Sequence, residues 1–263
     1  NPIWLVVDHF ALNSIWEMRV KEVIDLNIMV IDGLANRKHE CDLLLDQTYS
    51  LKGEDRWKNL VPKKCKLLVG PKYALLRAEF IEAQRHLRQR DGKVKRIFIA
   101  FGGVDELNAT SITLDALIEL NKKDISVDVV IGITNPNRKN LIEKYHKIDY
   151  INIFLDPNNI ADLMAAADLA IGACGTMMWE RCLLTLPTLI ITVAQNQITL
   201  AESLHSINAA VYIGDISEIS CDSIKVIIEK YLNNAEKLIE IQRVCEELMS
   251  QEASPVESYL LES

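Results

Sequence analysis

Hydrophobic and polar residues along this chain follow two alternating patterns. From Arg96 onward, short apolar runs typical of buried strands are separated by segments whose apolar residues recur at helical spacing. Alternating strands and helices of this kind predict a parallel sheet with helices on both faces and right-handed crossovers. The predicted strands are 97–100, 127–133, 150–155, 169–172, 188–193 and 210–213, and the predicted helices are 109–122, 138–147, 160–167, 177–184, 198–207 and 223–232.

The N-terminal third of the chain has a different pattern. Strands are predicted there at 3–7, 28–31, 43–45 and 67–69, but only one helix, at 15–25. With so little helix, one face or edge of this sheet would be exposed, which favours aggregation. Because the first strand begins at the start of the sequence, we expect the sequence to be a fragment whose preceding segment covers the sheet.

A charged stretch and a segment with helical periodicity indicate the boundaries between the predicted domains. The stretch 84–95 is the expected boundary between two α/β domains. The predicted domains are therefore 1–90 and 93–234, followed by a C-terminal helix and tail at 235–263. The apolar side of that helix consists of Leu238, Ile241, Cys245 and Leu248.

The composition limits the classes of partner. A net charge of -8 argues against nucleic acid or an anionic membrane, because both repel an excess of carboxylates. An anionic ligand would need a local positive potential instead. The six cysteines have no paired spacing, and the sequence has no signal peptide or long apolar span. We therefore expect a reduced, soluble, cytoplasmic protein.

No metal ion or other cofactor is expected. His39, Cys41, Cys65 and His86 are the residues that come closest to a zinc-binding set, and they lack the paired ligand spacing of such a site. The sequence leaves the oligomeric state open, and a monomer is favoured.

The run from Gly172 to Arg181 carries the most chemical information. It follows a predicted strand and begins a helix that ends before Pro187. A glycine turn at a helix N-terminus presents unpaired amides and the positive end of the helix dipole, which together suit a diphosphate. Glu180, one turn into the helix, can then face a ribose. This arrangement indicates a nucleotide-sugar site, at the same sheet edge as Gly102-Gly103.

Each of these residues also has a structural interpretation. Glu180 in a first helical turn stabilises the helix dipole by about 0.3–1 kcal/mol without any ligand. Gly102 and Gly103 suit a tight turn between a strand and a helix. Asn196 is a preferred cap for the helix predicted from residue 198, a role that is compatible with ligand binding.

Ordered motifs spread over nearly the whole chain resemble one known family. The chain is similar to the UDP-2,4-diacetamido-2,4,6-trideoxy-β-L-altropyranose hydrolases of pseudaminic acid biosynthesis, which are relatives of the GT-B glycosyltransferases. The resemblance implies an α/β fold of two Rossmann-like domains of the GT-B type, the N-terminal one incomplete in this chain. The matching segments are 8–10, 31–37, 41–47, 70–77, 102–105, 175–181, 186–187 and 196–197.

The resemblance also implies an activity and a ligand. In this family UDP binds mainly to the C-terminal domain, here 93–234, and water attacks the anomeric carbon to release UDP with inversion. Glu180 matches the glutamate that holds the ribose hydroxyls, and Leu155 matches the position whose backbone pairs with uracil. The residues that match the diphosphate-binding backbone are Gly102, Gly103, Gly175, Thr176 and Met177.

The sugar pocket and the catalytic base are matched less completely. Asn196 corresponds to an asparagine of the sugar pocket, with Gln197 beside it, whereas Phe10 replaces a tyrosine. The family's proposed general base is a histidine in an N-terminal Gly-x-Gly-His loop, upstream of the first residue of this chain. His9 is a candidate replacement base because imidazole titrates near neutral pH, and a structural hydrogen bond is its alternative role. Gly33, where the family has aspartate, is a further departure.

Three functions remain open from the sequence. The first is a UDP-sugar hydrolase, and the second is a glycosyltransferase of the same architecture that delivers the sugar to an acceptor. The third is a catalytically silent fragment that only binds the nucleotide sugar. Incubation with a UDP-sugar and no acceptor separates the first from the other two.

Overall fold

The computed structural model describes residues 3–250 and 255–261, and internal contacts divide the chain into two units. One unit contains the chain up to Leu75 and again from Ser250, and the other is Leu76–Met249. Both contain a parallel sheet, which the sequence pattern predicts for the second unit and the family resemblance implies for the first. Residues 1, 2, 251–254, 262 and 263, which fall in the predicted first domain and tail, lie outside the described residues. Within the described ranges, no helix has the length and apolar character needed to cross a membrane.

The first unit contains all four strands predicted for the N-terminal third. They are β1 (Trp4–Val7), β2 (Asn27–Ile31), β3 (Leu43–Asp46) and β4 (Lys66–Val69), in the order β1-β2-β3-β4. Helix α1 (Ser14–Val23) begins where the Asn13 side chain accepts a hydrogen bond from the Ile15 amide at 3.0 Å. The remaining helices of this unit are the 3-10 helices Gly53–Trp57 and Pro71–Tyr73 and a C-terminal helix Val256–Leu261.

One face of this small sheet is covered, whereas one of its edges is exposed. The C-terminal helix packs on one face, where Val256 joins a buried cluster with Met29 and Leu43. Strand β1 lies at the edge, and Val6 on this strand is 50% exposed. In the described part of the chain, the expected exposed edge is therefore present. The helix Val256–Leu261 was not predicted, because its six residues are too few to show a helical period.

The second unit is a doubly wound α/β sheet. Its strands are β5 (Arg96–Ala100), β6 (Ser126–Ile131), β7 (Ile151–Leu155), β8 (Leu169–Gly172), β9 (Thr188–Thr192) and β10 (Val211–Asp215). Its helices are α2 (Ala78–Arg85), α3 (Ala109–Leu120), α4 (Arg138–Tyr145), α5 (Ile160–Ala166), α6 (Met177–Leu183), α7 (Gln195–Ser206), α8 (Cys221–Leu232) and α9 (Ala235–Met249).

The strand order of the second sheet explains where a ligand can bind. The order is β10-β9-β8-β5-β6-β7, and every pair of neighbours is parallel. The first strand of the unit, β5, therefore lies between β8 and β6, so the winding reverses at β5 and β8. Open parallel sheets bind ligands beyond the carboxyl ends of the strands at such a switch point. The predicted strands and helices of this unit are confirmed, with ends that differ by up to three residues.

Helix α2 is the main element that the sequence pattern did not predict. Phe80 anchors it in the core of the second unit, in a cluster with Met164. The boundary between the two units accordingly lies between Leu75 and Leu76, upstream of the boundary predicted at 90–93. Arg90, at that predicted boundary, is buried and donates to the carbonyl of Ala167 at 2.7 Å, and burial lowers the pKa of its guanidinium to about 10.

Two helices near the end of the second unit test specific predictions. Helix α7 begins at Gln195, so Asn196 lies in its first turn and Ala194 occupies the cap position. The prediction that Asn196 caps this helix is therefore wrong. Helix α9 is confirmed together with its buried side, on which the Cys245 sulfur lies 3.7 Å from that of Cys182 in α6.

Candidate active site

The two glycine loops predicted to bind phosphate lie side by side in the second unit. Strand β5 ends at Ala100 and β8 ends at Gly172, and these two residues are paired in the sheet. The loops that follow contain Gly102-Gly103 and Gly175-Thr176, and all four residues are exposed. The loops therefore lie beyond the carboxyl ends of their strands, as the sequence pattern predicts, and flank the switch point.

Close approach of the backbone explains two glycines at this sheet edge. A Cβ atom on Gly172 would lie 2.2 Å from the carbonyl oxygen of Ala100. A Cβ atom on Gly132, after β6, would lie 2.4 Å from the carbonyl oxygen of Gly103. Sequence reasoning did not single out Gly132, because a lone glycine after a strand carries no other signal. Both glycines allow the loops to pack closely at the switch point.

The loop between β8 and α6 presents backbone amides that the described residues leave free. Gly175, Thr176 and Met177 donate no hydrogen bond from their backbone amides to any described residue. The Gln197 side-chain oxygen fixes the base of this loop, since it accepts from the amides of Cys174 at 3.4 Å and Val193 at 3.2 Å. The free amides can therefore donate to an anion at the start of α6.

The other junction, between β5 and α3, differs in its electrostatics. The Asp105 carboxylate accepts hydrogen bonds from the amides of Ala109 at 2.8 Å and Thr110 at 3.1 Å. Burial raises the pKa of Asp105, and these hydrogen bonds oppose that rise. A carboxylate of the chain itself thus occupies the N-terminus of α3. Gly102 and Gly103 are therefore the groups available to contact a diphosphate on this side, because the N-terminus of α3 is already occupied.

A buried arginine lies next to the free amides. Arg181 is 1% exposed, and its guanidinium donates to the carbonyls of Ala173 and Met177, on either side of those amides. Among the described residues Arg181 makes no ion pair, and burial lowers its pKa. The local positive potential that an anionic ligand needs in this acidic chain is therefore present at this loop. Sequence reasoning did not foresee this role, because an arginine on a helix usually faces solvent.

Glu180 has a partner that the sequence did not reveal. It lies in the first turn of α6, 7% exposed, and both of its carboxylate oxygens accept from Arg77. The Arg77 Nε atom lies 2.7 Å from Oε1, and Nη2 lies 3.0 Å from Oε2. The pair is a bidentate, charge-assisted contact within the second unit. Neither interpretation of Glu180, as a dipole partner or as a ribose ligand, predicts it.

The remaining candidates of the second unit lie at the same sheet edge. Leu155 ends the edge strand β7, 40% exposed, and is paired with Ile131 of β6. It is two strands from β5, which corresponds to roughly 10 Å. Asn196 is exposed at the start of α7, next to Gln197 and hence next to the β8–α6 loop. Their predicted contacts with uracil and sugar remain predictions.

The candidates of the first unit follow β1. The Nδ1 atom of His9 accepts a hydrogen bond from the Ala11 amide at 3.1 Å, so the structural alternative for this histidine is present. Its role as a base remains a prediction. Phe10 is 57% exposed, as a residue that contacts a ligand can be. Gly33 leaves little room for the aspartate of the family, because a Cβ atom there would lie 2.5 Å from Cγ2 of Thr48.

A buried ionic cluster in the first unit was not predicted. Nδ1 of His39 lies 2.7 Å from Glu17, and Nε2 lies 3.1 Å from Asp32, which also pairs with Arg37 at 2.6 Å. Burial alone would lower the pKa of His39, but hydrogen bonds to Asp32 and Glu17 raise it to about 9. The histidine considered above as a possible metal ligand is thus a cation of this cluster, together with Arg37.

The positions of the cysteines are relevant to the prediction that no metal ion is bound. The sulfur atoms of Cys41 and Cys65 lie 3.5 Å apart, and the six cysteines are thiols. Among the described residues, no three histidine, cysteine or acidic side chains come together in a group suited to a metal ion.

Comparisons with known proteins identify the relatives of this chain. A family model described as a protein of unknown function (DUF354) matches residues 104–253. The UDP-2,4-diacetamido-2,4,6-trideoxy-β-L-altropyranose hydrolase of Campylobacter jejuni is 31% identical over 194 residues, which are 73% of this chain and 67% of the hydrolase.

Solved structures of low sequence identity share the fold. MurG of Acinetobacter baumannii superposes with a TM-score of 0.58 at 14% identity, covering 92% of this chain and 67% of MurG. UGT89C1 of Arabidopsis thaliana complexed with UDP superposes with a TM-score of 0.63 at 11% identity, covering 95% of this chain and 70% of UGT89C1. Both have the GT-B glycosyltransferase fold. The chain therefore belongs to the DUF354 family and to the family of the UDP-2,4-diacetamido-2,4,6-trideoxy-β-L-altropyranose hydrolases, and it has an α/β fold of the GT-B type.

Proposed function

We propose that this protein binds a UDP-linked diacetamido-trideoxyhexose and hydrolyses it to UDP and the free sugar, in pseudaminic acid biosynthesis. One observation of the structure carries the proposal: the amides of Gly175, Thr176 and Met177, which have no partner among the described residues, lie beside the buried guanidinium of Arg181, which makes no ion pair with a described residue. The family relationship supports it, because the Campylobacter relative is named for this hydrolysis.

The proposed binding mode assigns the parts of UDP to different loops. The diphosphate accepts hydrogen bonds from the β8–α6 loop, with further contacts from Gly102 and Gly103. The ribose hydroxyls donate to Glu180, and uracil pairs with the backbone of Leu155. Because Asn196 and Gln197 follow the neighbouring strand β9, they are placed to line the sugar pocket.

The proposed reaction needs a good leaving group and an oriented water. The water oxygen attacks the anomeric carbon, the bond between that carbon and the diphosphate oxygen breaks, and its electron pair leaves with UDP. Amides at the start of α6 stabilise the charge that develops on UDP. The water proton passes to a base on the opposite side of the sugar, because inversion requires attack from that side. His9 is the candidate base of this chain, and Phe10 lies beside it.

Incubation with the UDP-sugar and no acceptor tests the proposed function. We expect release of UDP and free sugar in equal amounts, measured by UDP-specific and sugar-specific assays, and the inverted anomer should be the first one seen by NMR. The matched control is the Glu180→Ala variant, which should lose this activity. UDP release that requires an added acceptor would instead establish a glycosyltransferase, and tight UDP binding without turnover would establish a silent binding protein.

A further inference from the structure

Three residues of the second unit contact Arg77. Its guanidinium makes the bidentate contact with Glu180, and Nη1 lies 3.0 Å from Glu79. The guanidinium carbon also lies 4.6 Å from the centre of the Phe80 ring, within the range of a cation–π contact. Phe80 itself is fully buried, so it gives the arginine a fixed support.

The two members of the Arg77–Glu180 pair differ in exposure. The Glu180 side chain is 9% exposed, whereas that of Arg77 is 48% exposed. A carboxylate has about four lone-pair positions, and the guanidinium fork uses one on each oxygen. Each oxygen of Glu180 therefore keeps acceptor capacity, and the orientation of both oxygens is set by Arg77. Two adjacent hydroxyl groups match the acceptors that remain.

Resting on the proposed function, we propose that Arg77 is a positioning residue of the nucleotide site, which orients Glu180 to accept hydrogen bonds from the 2′ and 3′ hydroxyls of the UDP ribose. Arg77 acts through Glu180 and does not itself contact the ribose. The site consequently selects ribonucleotides over nucleotides that lack these hydroxyls.

The charges around Arg77 argue against direct binding of the diphosphate. Glu180 and Glu79 both lie within ion-pair distance of the single guanidinium, so these three groups together carry a net negative charge. A phosphate is attracted more strongly to the amides near Arg181, because no described carboxylate forms an ion pair with that cation. Arg77 is thus suited to hold a carboxylate and not to bind an anion.

Titration with two nucleotides separates positioning from a merely structural role. We would measure the affinity of the wild-type chain and the Arg77→Gln, Arg77→Lys and Glu180→Gln variants for UDP and for 2′,3′-dideoxy-UDP by calorimetry. Arg77→Gln should weaken UDP binding about tenfold, equivalent to about 1.4 kcal/mol. It should leave the weaker binding of dideoxy-UDP unchanged. Arg77→Lys, which keeps the charge but loses the fork, should give an intermediate loss for UDP only.

Two controls complete the experiment. Arg85→Gln removes an arginine from helix α2, which begins directly after Arg77, and should change neither affinity. The Arg85 side chain is 67% exposed, and its one ion pair among the described residues is with Glu82 at 2.6 Å. In the Glu180→Gln background, Arg77→Gln should cause no further loss, because the two residues act as one unit. Thermal unfolding of each ligand-free variant shows which samples are folded. If Arg77→Gln does not fold, the UDP and dideoxy-UDP affinities of Arg77→Lys are compared with those of the wild type instead.

Each outcome decides between the proposals. Equal losses for both nucleotides, additive effects with Glu180→Gln, or unchanged UDP affinity in both Arg77 variants would overturn the positioning role while leaving UDP binding intact. A wild-type chain that binds neither nucleotide would overturn the proposed function itself, and the role of Arg77 with it.

Discussion

Replacing Glu180 with alanine is expected to weaken UDP binding well over tenfold. Hydrogen bonds to a charged acceptor contribute about 1.5–3 kcal/mol, and each 1.4 kcal/mol corresponds to a factor of about ten in affinity. The substitution also leaves the Arg77 guanidinium without its bidentate partner beside the site. Calorimetric titration with UDP measures the effect directly.

A matched control exists in the same cluster. Glu79 also pairs with Arg77, at 3.0 Å, but its side chain is 40% exposed and lies outside the proposed site. Glu79→Ala should therefore change UDP affinity less than about twofold, as expected for an exposed ion pair. If Glu180→Ala and Glu79→Ala bind UDP equally well, Glu180 does not hold the ribose.

Replacing His39 with alanine is expected to destabilise the first unit by about 3–5 kcal/mol, the usual cost of breaking a buried ion pair. The substitution leaves the carboxylates of Glu17 and Asp32 buried, with Arg37 as the remaining cation of the cluster. Denaturant unfolding measures the change. His86→Ala is the control, because His86 is 79% exposed and should leave the midpoint nearly unchanged.

The pH dependence of unfolding follows from the same cluster. The folded pKa of His39 is about 9, above its ordinary value of 6.5, so protonation favours the folded state. This contribution is fully present below pH 6.5, falls as the pH rises, and is lost above about pH 9. At about 1.4 kcal/mol per pKa unit it amounts to about 3 kcal/mol. The His39→Ala variant should lack this decline, and an equal decline in both proteins would contradict the assignment.

The sequence pattern was sufficient for the architecture of the second unit. Central strands such as β8 and β9 (Thr188–Thr192) are buried on both faces, so their apolar runs give a continuous hydrophobic signal. Helix α2 was missed because it has only eight residues, half of them polar, and Phe80 is its single fully buried anchor. The boundary predicted near residue 90 followed from charge alone, which cannot show that the Arg90 side chain is buried.

The candidate site was predictable only in part. Glycine loops have a local sequence signature, so Gly102, Gly103 and Gly175 could be assigned to the carboxyl ends of strands from the predicted alternation of strands and helices. The Arg77–Glu180 pair joins residues 103 positions apart, and no periodicity or spacing indicates such a contact. The cluster around His39 was missed for the same reason, since a buried polar group is recognised by its partners.

A structure of the protein with UDP bound tests the central claim most directly. The account predicts the diphosphate on the amides of Gly175, Thr176 and Met177, the ribose hydroxyls on Glu180, and Arg77 still paired with that carboxylate. A nucleotide bound away from the carboxyl ends of β5 and β8, or no nucleotide at saturating UDP, would contradict it.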